Sequence, residues 1–360
     1  MAKKIKYSPK HTQPGLFDFT ADLSADNGAS LSFSNRPEPQ LPPIDDFIIN
    51  MPSAAAARDA SSSANPIADI EVDRSALRVH DDIVFISFGS GSSGNSSYIG
   101  DSEGGVLIDA GVDIDNVASA MKAHGLSLSH IKGVCLTHDH SDHVRFVYSL
   151  VRKHPHIGIY CTPKTLSGLL RRHSISRRVK DYHRPIYKEF AFRIGNFELT
   201  AFDVSHDGTD NAGYFITHGN HRFAIATDLG CITPRVEHYM SQARYIMLEA
   251  NYDAEMLRNG PYPQYLKARI ERDNGHLDNR VAGQFLARFA ANMPSHIFLC
   301  HLSKDNNTPE LALETIRSEL AAAGITSIGD GSGTPQSRSC ATQLVALPRF
   351  DPSPLFTLRD

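Results

Sequence analysis

The chain has 360 residues, of which 41% are hydrophobic and 21% are charged, and its formal net charge is −4. These values are typical of a globular protein with one large core or two smaller ones. No apolar run approaches the roughly 20 residues of a transmembrane helix, and the charged N-terminus lacks the apolar stretch of a secretory signal. The five cysteines are widely spaced and form no CxxC pair, which argues against a disulfide framework. We therefore expect a cytoplasmic protein without membrane contact.

Residues 1–80 differ in composition from the rest of the chain. They contain 8 of the 20 prolines and an Ala/Ser-rich stretch at residues 53–64, and they sustain no apolar periodicity. A segment of this kind buries too little apolar surface to offset the entropy that is lost on ordering. We predict a flexible, disordered tail over residues 1–80.

Short β-rich runs alternate with amphipathic helical patterns over residues 81–360. Predicted strands cover residues 82–88, 105–109, 131–138, 157–161, 197–205, 211–217, 222–228, 243–250 and 296–301. Predicted helices cover residues 115–124, 143–154, 277–291 and 309–323. The strands come in pairs or triplets before a helix, unlike the strict alternation of a doubly wound sheet. This order predicts one α/β domain of the layered α+β kind, built as an αββα sandwich.

The strongest chemical signal is the string HDHSDH at residues 138–143. An apolar strand ends just before it and a helical pattern begins within it, so the motif occupies a loop between strand and helix. On such a loop His138 and His140 can face one ion, while Asp142 and His143 reach a second. Imidazole and carboxylate groups are suited to Zn²⁺ or Mn²⁺. Solvated loop histidines are the alternative, but four fixed positions of these types rarely coincide by chance.

Three further candidate ligands come at the ends of later apolar runs. His206, Asp228 and His301 each follow a predicted strand, where a side chain can project into a shared cleft. Taken singly, each of them could be an ordinary loop residue. Together with the first motif they make seven ligands, a number that suits two ions with room for a bridging water.

This ordered set resembles the hydrolase pattern of the metallo-β-lactamase-fold superfamily. The segments at residues 88–99, 248–257, 274–279, 299–313 and 343–358 resemble signature segments of its YycJ-like branch, also called WalJ or VicX. The resemblance covers roughly residues 82–358. It implies a metallo-β-lactamase-like αββα fold with two metal ions. The implied ligands are His138, His140 and His206 for the first ion, Asp142, His143 and His301 for the second, and Asp228 as the bridge.

The resemblance also implies roles for residues around the metals. Asp109 resembles the buried carboxylate that orients a ligating histidine through its free ring N–H. The residues expected to line the pocket are Asn95, Glu249, Asn251, Ser303 and Asn306. Tyr252 and Asp278 depart from the branch, which usually has a histidine and a serine at these positions, so the resemblance implies the metal ligands more firmly than the substrate contacts.

Asp142 and His276 are the predicted catalytic residues. A histidine near the metals that is not a ligand can donate a proton to a leaving group, which is the role expected of His276. The alternative for His276 is a capping or packing role at the start of the following helix.

Residues 145–195 form a basic segment with 12 Lys and Arg against two acidic residues. Such a density of positive charge suggests contact with a polyanion. The predicted nucleic-acid-binding residues are Arg171, Arg172, Arg177 and Arg178. The alternative is a solvated surface whose charges pair with acidic residues elsewhere.

These observations predict a metal-dependent hydrolase. In the expected reaction a metal-bridging hydroxide attacks the scissile phosphate of DNA, as in an exodeoxyribonuclease or related phosphodiesterase. Only 72 residues separate Asp228 from His301, too few for the inserted domain of RNA-cleaving relatives. The alternatives are a small-molecule hydrolase acting on a cyclic phosphodiester, ester or lactam, and a regulatory protein that only binds.

One peptide in the predicted tail bears on this choice. Residues Gln13–Phe17 read QPGLF, which resembles the QxxLF peptide by which bacterial DNA-processing enzymes bind the replication sliding clamp. Large apolar side chains in a flexible segment are typical of peptides that fold on binding. An apolar patch without function, or one that packs on its own domain, is the alternative.

Overall fold

The computed structural model describes residues 82–359. The predicted disordered tail at residues 1–80 and the predicted clamp-binding peptide at Gln13–Phe17 lie outside the described residues, and both stay predictions. Among the helices of residues 82–359, none combines the length and the apolar character that a membrane crossing requires.

The described residues form fifteen strands and ten α-helices. The strands are β1 (Ile83–Gly89), β2 (Ser96–Asp101), β3 (Gly104–Ile108), β4 (Ile131–Cys135), β5 (Gly158–Cys161), β6 (His183–Pro185), β7 (Ala191–Ile194), β8 (Phe197–Asp203), β9 (Ala212–His218), β10 (His221–Ala226), β11 (Tyr245–Glu249), β12 (His296–Cys300), β13 (Ile328–Gly329), β14 (Thr342–Ala346) and β15 (Phe356–Leu358). The helices are α1 (Ile114–Ala123), α2 (Ser141–Val144), α3 (Val147–Lys153), α4 (Pro163–Arg172), α5 (Pro234–Met240), α6 (Ala254–Asn259), α7 (Gln264–Ile270), α8 (Asn279–Ala287), α9 (Pro309–Ala322) and α10 (Pro335–Arg338). Two short 3₁₀ helices span Leu128–His130 and Arg177–Tyr182.

The strands form two mixed β-sheets. The order is β15-β1-β2-β3-β4-β5-β6 in the first sheet and β13-β14-β12-β11-β10-β9-β8-β7 in the second. Strands β3 to β6 are parallel in the first sheet, and β10, β11, β12, β14 and β13 are parallel in the second. Because the carboxyl ends of parallel neighbours meet at one edge of a sheet, the loops after these strands collect side chains there.

Three apolar layers hold the sheets and helices together. Phe85 on β1 packs against Phe223 on β10 and Phe298 on β12, with ring centroids 5.2 and 4.5 Å apart, so the central core lies between the two sheets. Helices α1, α3 and α4 cover the outer face of the first sheet, and α5, α8 and α9 cover the outer face of the second. The predicted αββα sandwich is therefore confirmed.

The predicted helix at residues 143–154 is broken into α2 and α3. The backbone carbonyls of Asp142 and His143 accept hydrogen bonds from the N–H groups of Asn95 and Ala110, and the N–H of Phe146 donates to the carbonyl of Ala110. Because these groups bond to loops of the first sheet, they cannot continue one helix. These hydrogen bonds fix residues 142–146 to the loops that precede β2 and follow β3.

Candidate metal centre

Every predicted metal ligand follows a strand at the carboxyl edge of one of the two sheets, and Asp142 and His143 lie in the short helix α2. The motif at residues 138–143 follows β4, His206 follows β8, Asp228 follows β10 and His301 follows β12. The strands that precede these loops are buried and apolar, so they hold the loop backbone at a fixed place. The structure therefore brings together residues that lie up to 163 positions apart in the chain.

Six of the predicted ligands form two neighbouring groups. In the first group, one ligand atom of each of His138, His140 and His206 lies within 4.8 Å of the others. The second group meets the same distance and consists of Asp142, His143 and His301. Both groups could hold a metal ion.

Asp228 lies between the two groups. Its Oδ2 is 3.3 Å from Nε2 of His143, and its Oδ1 is 3.9 Å from Nε2 of His206 and 3.2 Å from Nδ1 of His301. One carboxylate oxygen thus faces a member of the second group, while the other faces members of both. This is the position from which a carboxylate can bridge two ions.

The polar atoms left over in this cluster fit a divalent cation. Nε2 of His138, Nε2 of His301 and Oδ2 of Asp228 are buried and have no hydrogen-bond partner within residues 82–359. Buried polar atoms without partners are rare because they lose hydration and gain nothing in return. Five imidazoles and two carboxylates are donors that zinc and manganese accept, so the residues present fit the metal ions that the fold family implies.

Asp109 fixes the ring of His143. Its carboxylate is almost fully buried and accepts hydrogen bonds from Nδ1 of His143 at 2.7 Å and from the N–H and hydroxyl of Thr137 at 2.8 Å each. Burial raises the pKa of Asp109 above its usual value, although His143 and Thr137 oppose this rise. With Nδ1 engaged in this way, His143 turns Nε2 toward the cluster.

Glu249 supports His301 in the way that Asp109 supports His143. Its side chain is fully buried, and Oε1 accepts hydrogen bonds from Nδ1 of His301 at 2.8 Å and from Nδ1 of His276 at 2.7 Å. The other oxygen, Oε2, accepts from the N–H groups of Leu229 and Leu277. The sequence predicted Glu249 as a residue of the pocket lining, whereas the structure places it behind two histidines that face the cleft.

His276 lies at the rim of the cluster. Its side chain is 21% exposed, and its ring centroid is 5.2 Å from that of His206 and 5.2 Å from that of His301. Because Nδ1 donates to Glu249, the edge of the ring that carries Nε2 is left for other contacts. Its own N–H bonds to the carbonyl of Ile270, and helix α8 is capped instead by Asp278, whose side chain accepts from two backbone N–H groups.

The remaining predicted pocket residues differ in their distance from the cluster. Asn95 donates to Oδ2 of Asp142 at 3.1 Å, and Asn251 donates to the carbonyl of His301 at 2.7 Å. Ser303 and Asn306 hydrogen-bond to each other within the loop after β12. Asn95 and Asn251 therefore touch candidate ligands directly, whereas Ser303 and Asn306 organise a loop beside them.

Comparisons with known proteins identify the family. A model of the beta-lactamase superfamily domain matches residues 105–302. Exodeoxyribonuclease YycJ of Bacillus anthracis is 33% identical over 246 residues, which make up 67% of this chain and 90% of that protein. Exodeoxyribonuclease WalJ of Streptococcus pneumoniae is 32% identical over 237 residues, or 66% of this chain and 87% of that protein. The chain belongs to the YycJ-like branch of the metallo-β-lactamase superfamily. It is a metal-dependent hydrolase.

Two solved structures show the same fold. The metallo-β-lactamase fold protein YhfI from Bacillus subtilis has a TM-score of 0.55 at 14% identity, and the match covers 77% of this chain and 100% of that one. Zn(2+)-bound PqqB from Methylobacterium extorquens has a TM-score of 0.52 at 17% identity, with the same coverage of 77% and 100%. The YycJ-like chain therefore shares its fold with these two proteins despite the low sequence identity.

Electrostatics divide the histidines of this YycJ-like hydrolase into two kinds. Burial and neighbouring histidines hold the pKa of His138 well below its usual value, and burial lowers the pKa of His140 to about 4. Although burial opposes it, nearby Asp228 raises the pKa of His143 well above its usual value and that of His301 to about 10. Burial alone would raise the pKa of Asp228, but His301 and His143 hold it well below its usual range.

Two acidic residues near the YycJ-like cluster were missed in the sequence. Asp139 lies between two candidate ligands, is fully buried, and accepts hydrogen bonds from the N–H and hydroxyl of Thr209 at 2.9 and 2.5 Å. Asp207 pairs with Arg269 at 2.7 Å and lies 3.4 Å from Nε2 of His140. Both residues are adjacent to predicted ligands, and that adjacency is the signal that could have found them.

The basic segment of the YycJ-like chain approaches the cluster at the end of α4. Arg171 and Arg177 are exposed, and Arg178 is exposed beside Asp181 at 3.5 Å. Arg172 instead reaches Oδ2 of Asp139 at 3.4 Å, so it also holds residues 138–143, which we call the ligand loop. Of the predicted nucleic-acid-binding residues, Arg172 therefore contacts that loop directly, while the other three are exposed.

Proposed function

We propose that this protein is an exodeoxyribonuclease that uses two divalent metal ions, Zn²⁺ or Mn²⁺, and that residues 81–360 form its catalytic domain. The observation that carries the proposal is the convergence of seven imidazole and carboxylate side chains at one edge of the sandwich. The two curated relatives, which align over 90% and 87% of their own lengths, are both exodeoxyribonucleases. A DNA substrate also agrees with the cytoplasmic location expected from the sequence.

In this proposal His138, His140 and His206 would hold the first ion, and Asp142, His143 and His301 would hold the second. Asp228, which lies between the two groups, would be the shared ligand. When bound, a pair of divalent ions supplies hydroxide near neutral pH and neutralises charge on the oxygens of the phosphate.

The residues around the ligands have positioning roles. Asp109 and Glu249 each accept a hydrogen bond from a histidine Nδ1, so the Nε2 atoms of His143 and His301 are aimed at the cluster. Nδ1 of His206 is engaged in the same way by the carbonyl of Gly275 at 3.0 Å. The chain's own hydrogen bonds therefore orient these three rings.

His276 is the proposed proton donor. Glu249 fixes its ring through Nδ1, which leaves Nε2 to deliver a proton to the oxygen that departs from phosphorus. Asp142 is proposed as a catalytic residue because its carboxylate contacts both His143 and His301 within the second group.

The basic segment is proposed to bind the DNA backbone. Arg171 and Arg172 lie at the end of α4, where Arg172 contacts Asp139, and Arg177 and Arg178 lie in the following 3₁₀ helix. Positive side chains next to the cluster would neutralise phosphates on either side of the scissile bond.

The test is DNA degradation by metal-loaded protein, with substrates labelled at the 5′ or the 3′ end, as duplexes and as single strands. We expect label release from an end with Zn²⁺ or Mn²⁺, and loss of release in His140→Ala. The exposed His238 offers a matched control, since His238→Ala removes an imidazole outside the cluster. Hydrolysis of a small chromogenic phosphodiester without any cleavage of DNA would contradict the proposal and favour a small-molecule hydrolase.

The contact with the sliding clamp through Gln13–Phe17 is a separate prediction. Capture of the clamp by the full-length protein should be lost in Leu16→Ala plus Phe17→Ala. Capture that is unchanged by these two substitutions would remove the idea without affecting the proposed activity.

A further inference from the structure

A cavity of about 540 Å³ lies next to the ligand loop, between α3 and the end of α4. One wall is formed by Val144 of α2, by Tyr148 and Arg152 of α3, and by Arg145 between the two helices. The opposite wall is formed by Leu169 of α4 and by residues 173–176. We refer to this space as the α3–α4 cavity. Its volume falls within the range of about 300 to 1,000 Å³ that is typical of small-molecule and cofactor sites.

The α3–α4 cavity combines an apolar floor with a positive rim. Val144 and Leu169 are buried, and Ile175 and Tyr148 are half-buried, so the floor offers aliphatic surface and one aromatic ring. Arg145 and Arg152 are exposed on the same wall, and the lining contains no Asp or Glu. An apolar floor under a cationic rim matches a planar base attached to a phosphate.

Among residues 82–359, no acidic side chain pairs with the two arginines on the rim. In the part of the chain that the structure describes, the ion pairs of the basic segment involve Lys153, Arg172, Arg178, Lys188 and Arg193. Neither Arg145 nor Arg152 has a carboxylate partner among residues 82–359. Their guanidinium groups are therefore available to bind an anion in two-pronged geometry.

The cavity and the candidate metal centre share the ligand loop. Ser141, which lines the cavity, lies between His140 and Asp142 in the sequence. On the other wall, Nε2 of His173 donates to the backbone carbonyl of Asp139 at 2.6 Å. The wall of the α3–α4 cavity thus includes a direct sequence neighbour of two candidate metal ligands, and His173 bonds to the backbone between two others.

We propose that the α3–α4 cavity binds one nucleotide of the strand being cleaved, adjacent to the scissile phosphate. Arg145 and Arg152 contact its phosphate, and the base lies against Tyr148 and Ile175. The proposal rests on the proposed nuclease function, which it deepens by naming a nucleotide subsite. Because a base must leave its partner to enter the cavity, DNA with an unpaired end is the preferred substrate.

The absence of tryptophan from the chain provides a direct probe of the cavity. Tyr148→Trp places a single indole on its wall, so the fluorescence of the variant reports this position alone. Metal-loaded Tyr148→Trp protein should show quenching on addition of a short phosphorothioate oligonucleotide, which resists cleavage. Quenching should be lost when Arg145→Gln and Arg152→Gln are added, because the strand is no longer held. If the oligonucleotide binds without changing the indole fluorescence, the assignment of the cavity is wrong.

A second measurement does not depend on how well the larger indole side chain fits. The kcat/KM for DNA with an unpaired end is divided by that for a small chromogenic phosphodiester, which is too short to span the metals and the cavity. In Arg145→Gln plus Arg152→Gln this ratio should fall about tenfold or more, mainly through KM for DNA. The matched control is Lys122→Gln plus Arg222→Gln, which removes two exposed positive charges outside the basic segment and the cavity and should leave the ratio within about twofold of the parent.

The outcomes separate the two proposals. If the parent cleaves DNA and the two double variants behave alike, the cavity assignment is overturned while the nuclease function stands. If the parent cleaves no DNA, the nuclease function is overturned, and the cavity assignment fails with it unless the oligonucleotide still quenches the indole of Tyr148→Trp.

Discussion

Glu249 lies directly behind His301, with its Oε1 atom 2.8 Å from Nδ1 of the imidazole. Asp109 has the same relationship to His143 at 2.7 Å, so each sheet supplies one buried carboxylate to one candidate ligand. A carboxylate that holds the far nitrogen of a ligating histidine fixes the ring and raises its basicity. Two ligands of the second group are thus supported by the same device from opposite sheets.

Glu249→Gln is expected to weaken metal binding about tenfold to a hundredfold, because the amide keeps the shape but loses the charge that supports His301. Competition with a chromogenic chelator measures this affinity. The exposed Glu314 in α9 gives the control substitution Glu314→Gln, which should bind metal like the parent. Equal affinities in all three proteins would show that Glu249 does not support the site.

Asp101 provides a prediction about stability and pH away from the metals. Its carboxylate accepts from the N–H groups of Glu103 and Gly104 and from Asn196 in the turn between β7 and β8, and it lies 3.1 Å from Nε2 of His218. Burial alone would raise the pKa of Asp101, but these hydrogen bonds and His218 lower it below its usual value. A lowered folded-state pKa gives stability that is present above the unfolded pKa and is lost as pH falls through the folded value.

Asp101→Asn should therefore lower the free energy of unfolding at pH 7 by about 1.5 to 3 kcal/mol, the range for hydrogen bonds to a charged group. The difference from the parent should shrink below about pH 4, where the carboxylate begins to protonate. Urea unfolding of chelator-treated protein at several pH values measures both effects. Asp351→Asn, at an exposed position, is the control. A deficit that is the same at every pH would rule out a role for the charge.

Gly168 in α4 tests how tightly the basic segment is packed on the ligand loop. A Cβ atom at this position would lie 2.0 Å from Oδ2 of Asp139 and 2.4 Å from the hydroxyl of Thr209. Alanine normally favours a helix over glycine by up to about 1 kcal/mol, so propensity alone predicts stabilisation. We expect the opposite sign, with Gly168→Ala less stable and less active than the parent.

The control for this prediction is the helical Gly283 in α8. A Cβ atom there would lie 2.9 Å from the Cβ of Glu319, which is a milder contact with a side chain. The melting temperature should fall further for Gly168→Ala than for Gly283→Ala. If Gly168→Ala instead melts at a higher temperature than the parent, α4 does not pack against Asp139 as closely as the structure indicates.

Arg171 and Arg177 are the exposed members of the predicted nucleic-acid-binding set without a carboxylate partner among residues 82–359. Arg171→Gln plus Arg177→Gln should weaken DNA binding and reduce the slope of log affinity against log salt by about 1 to 2, because fewer counterions are released. Fluorescence anisotropy at several salt concentrations measures the slope. An unchanged slope would show that Arg171 and Arg177 do not contact the DNA phosphates.

Much of the candidate site could be predicted from the sequence because its ligands follow apolar strands. The strand before residue 138 and the runs before His206, Asp228 and His301 mark the carboxyl edge of a sheet, where side chains converge. The place of Glu249 could not be predicted in this way. A glutamate at the end of a buried strand resembles any pocket residue until its partners, 27 and 52 residues further along the chain, are known.

The break between α2 and α3 and the hydrogen bonds of Asp139 also depend on tertiary contacts. The apolar pattern of residues 143–154 continues through Phe146, and only the hydrogen bonds to Asn95 and Ala110 divide the helix. Asp139 is held by Thr209, 70 residues away, so its role is invisible to local periodicity. These features were set by the packing of the two sheets rather than by the preferences of any one segment.

The proposed reaction requires that two metal ions bound at this cluster hydrolyse DNA. The decisive experiment is to titrate metal-free protein with Mn²⁺ while nucleotide release from end-labelled DNA and the number of bound ions are followed together. We predict no release from the metal-free protein, release that rises until two ions are bound per chain, and no release from Asp142→Ala at any Mn²⁺ concentration. Release that persists in the metal-free protein, or in Asp142→Ala, would contradict the two-metal mechanism.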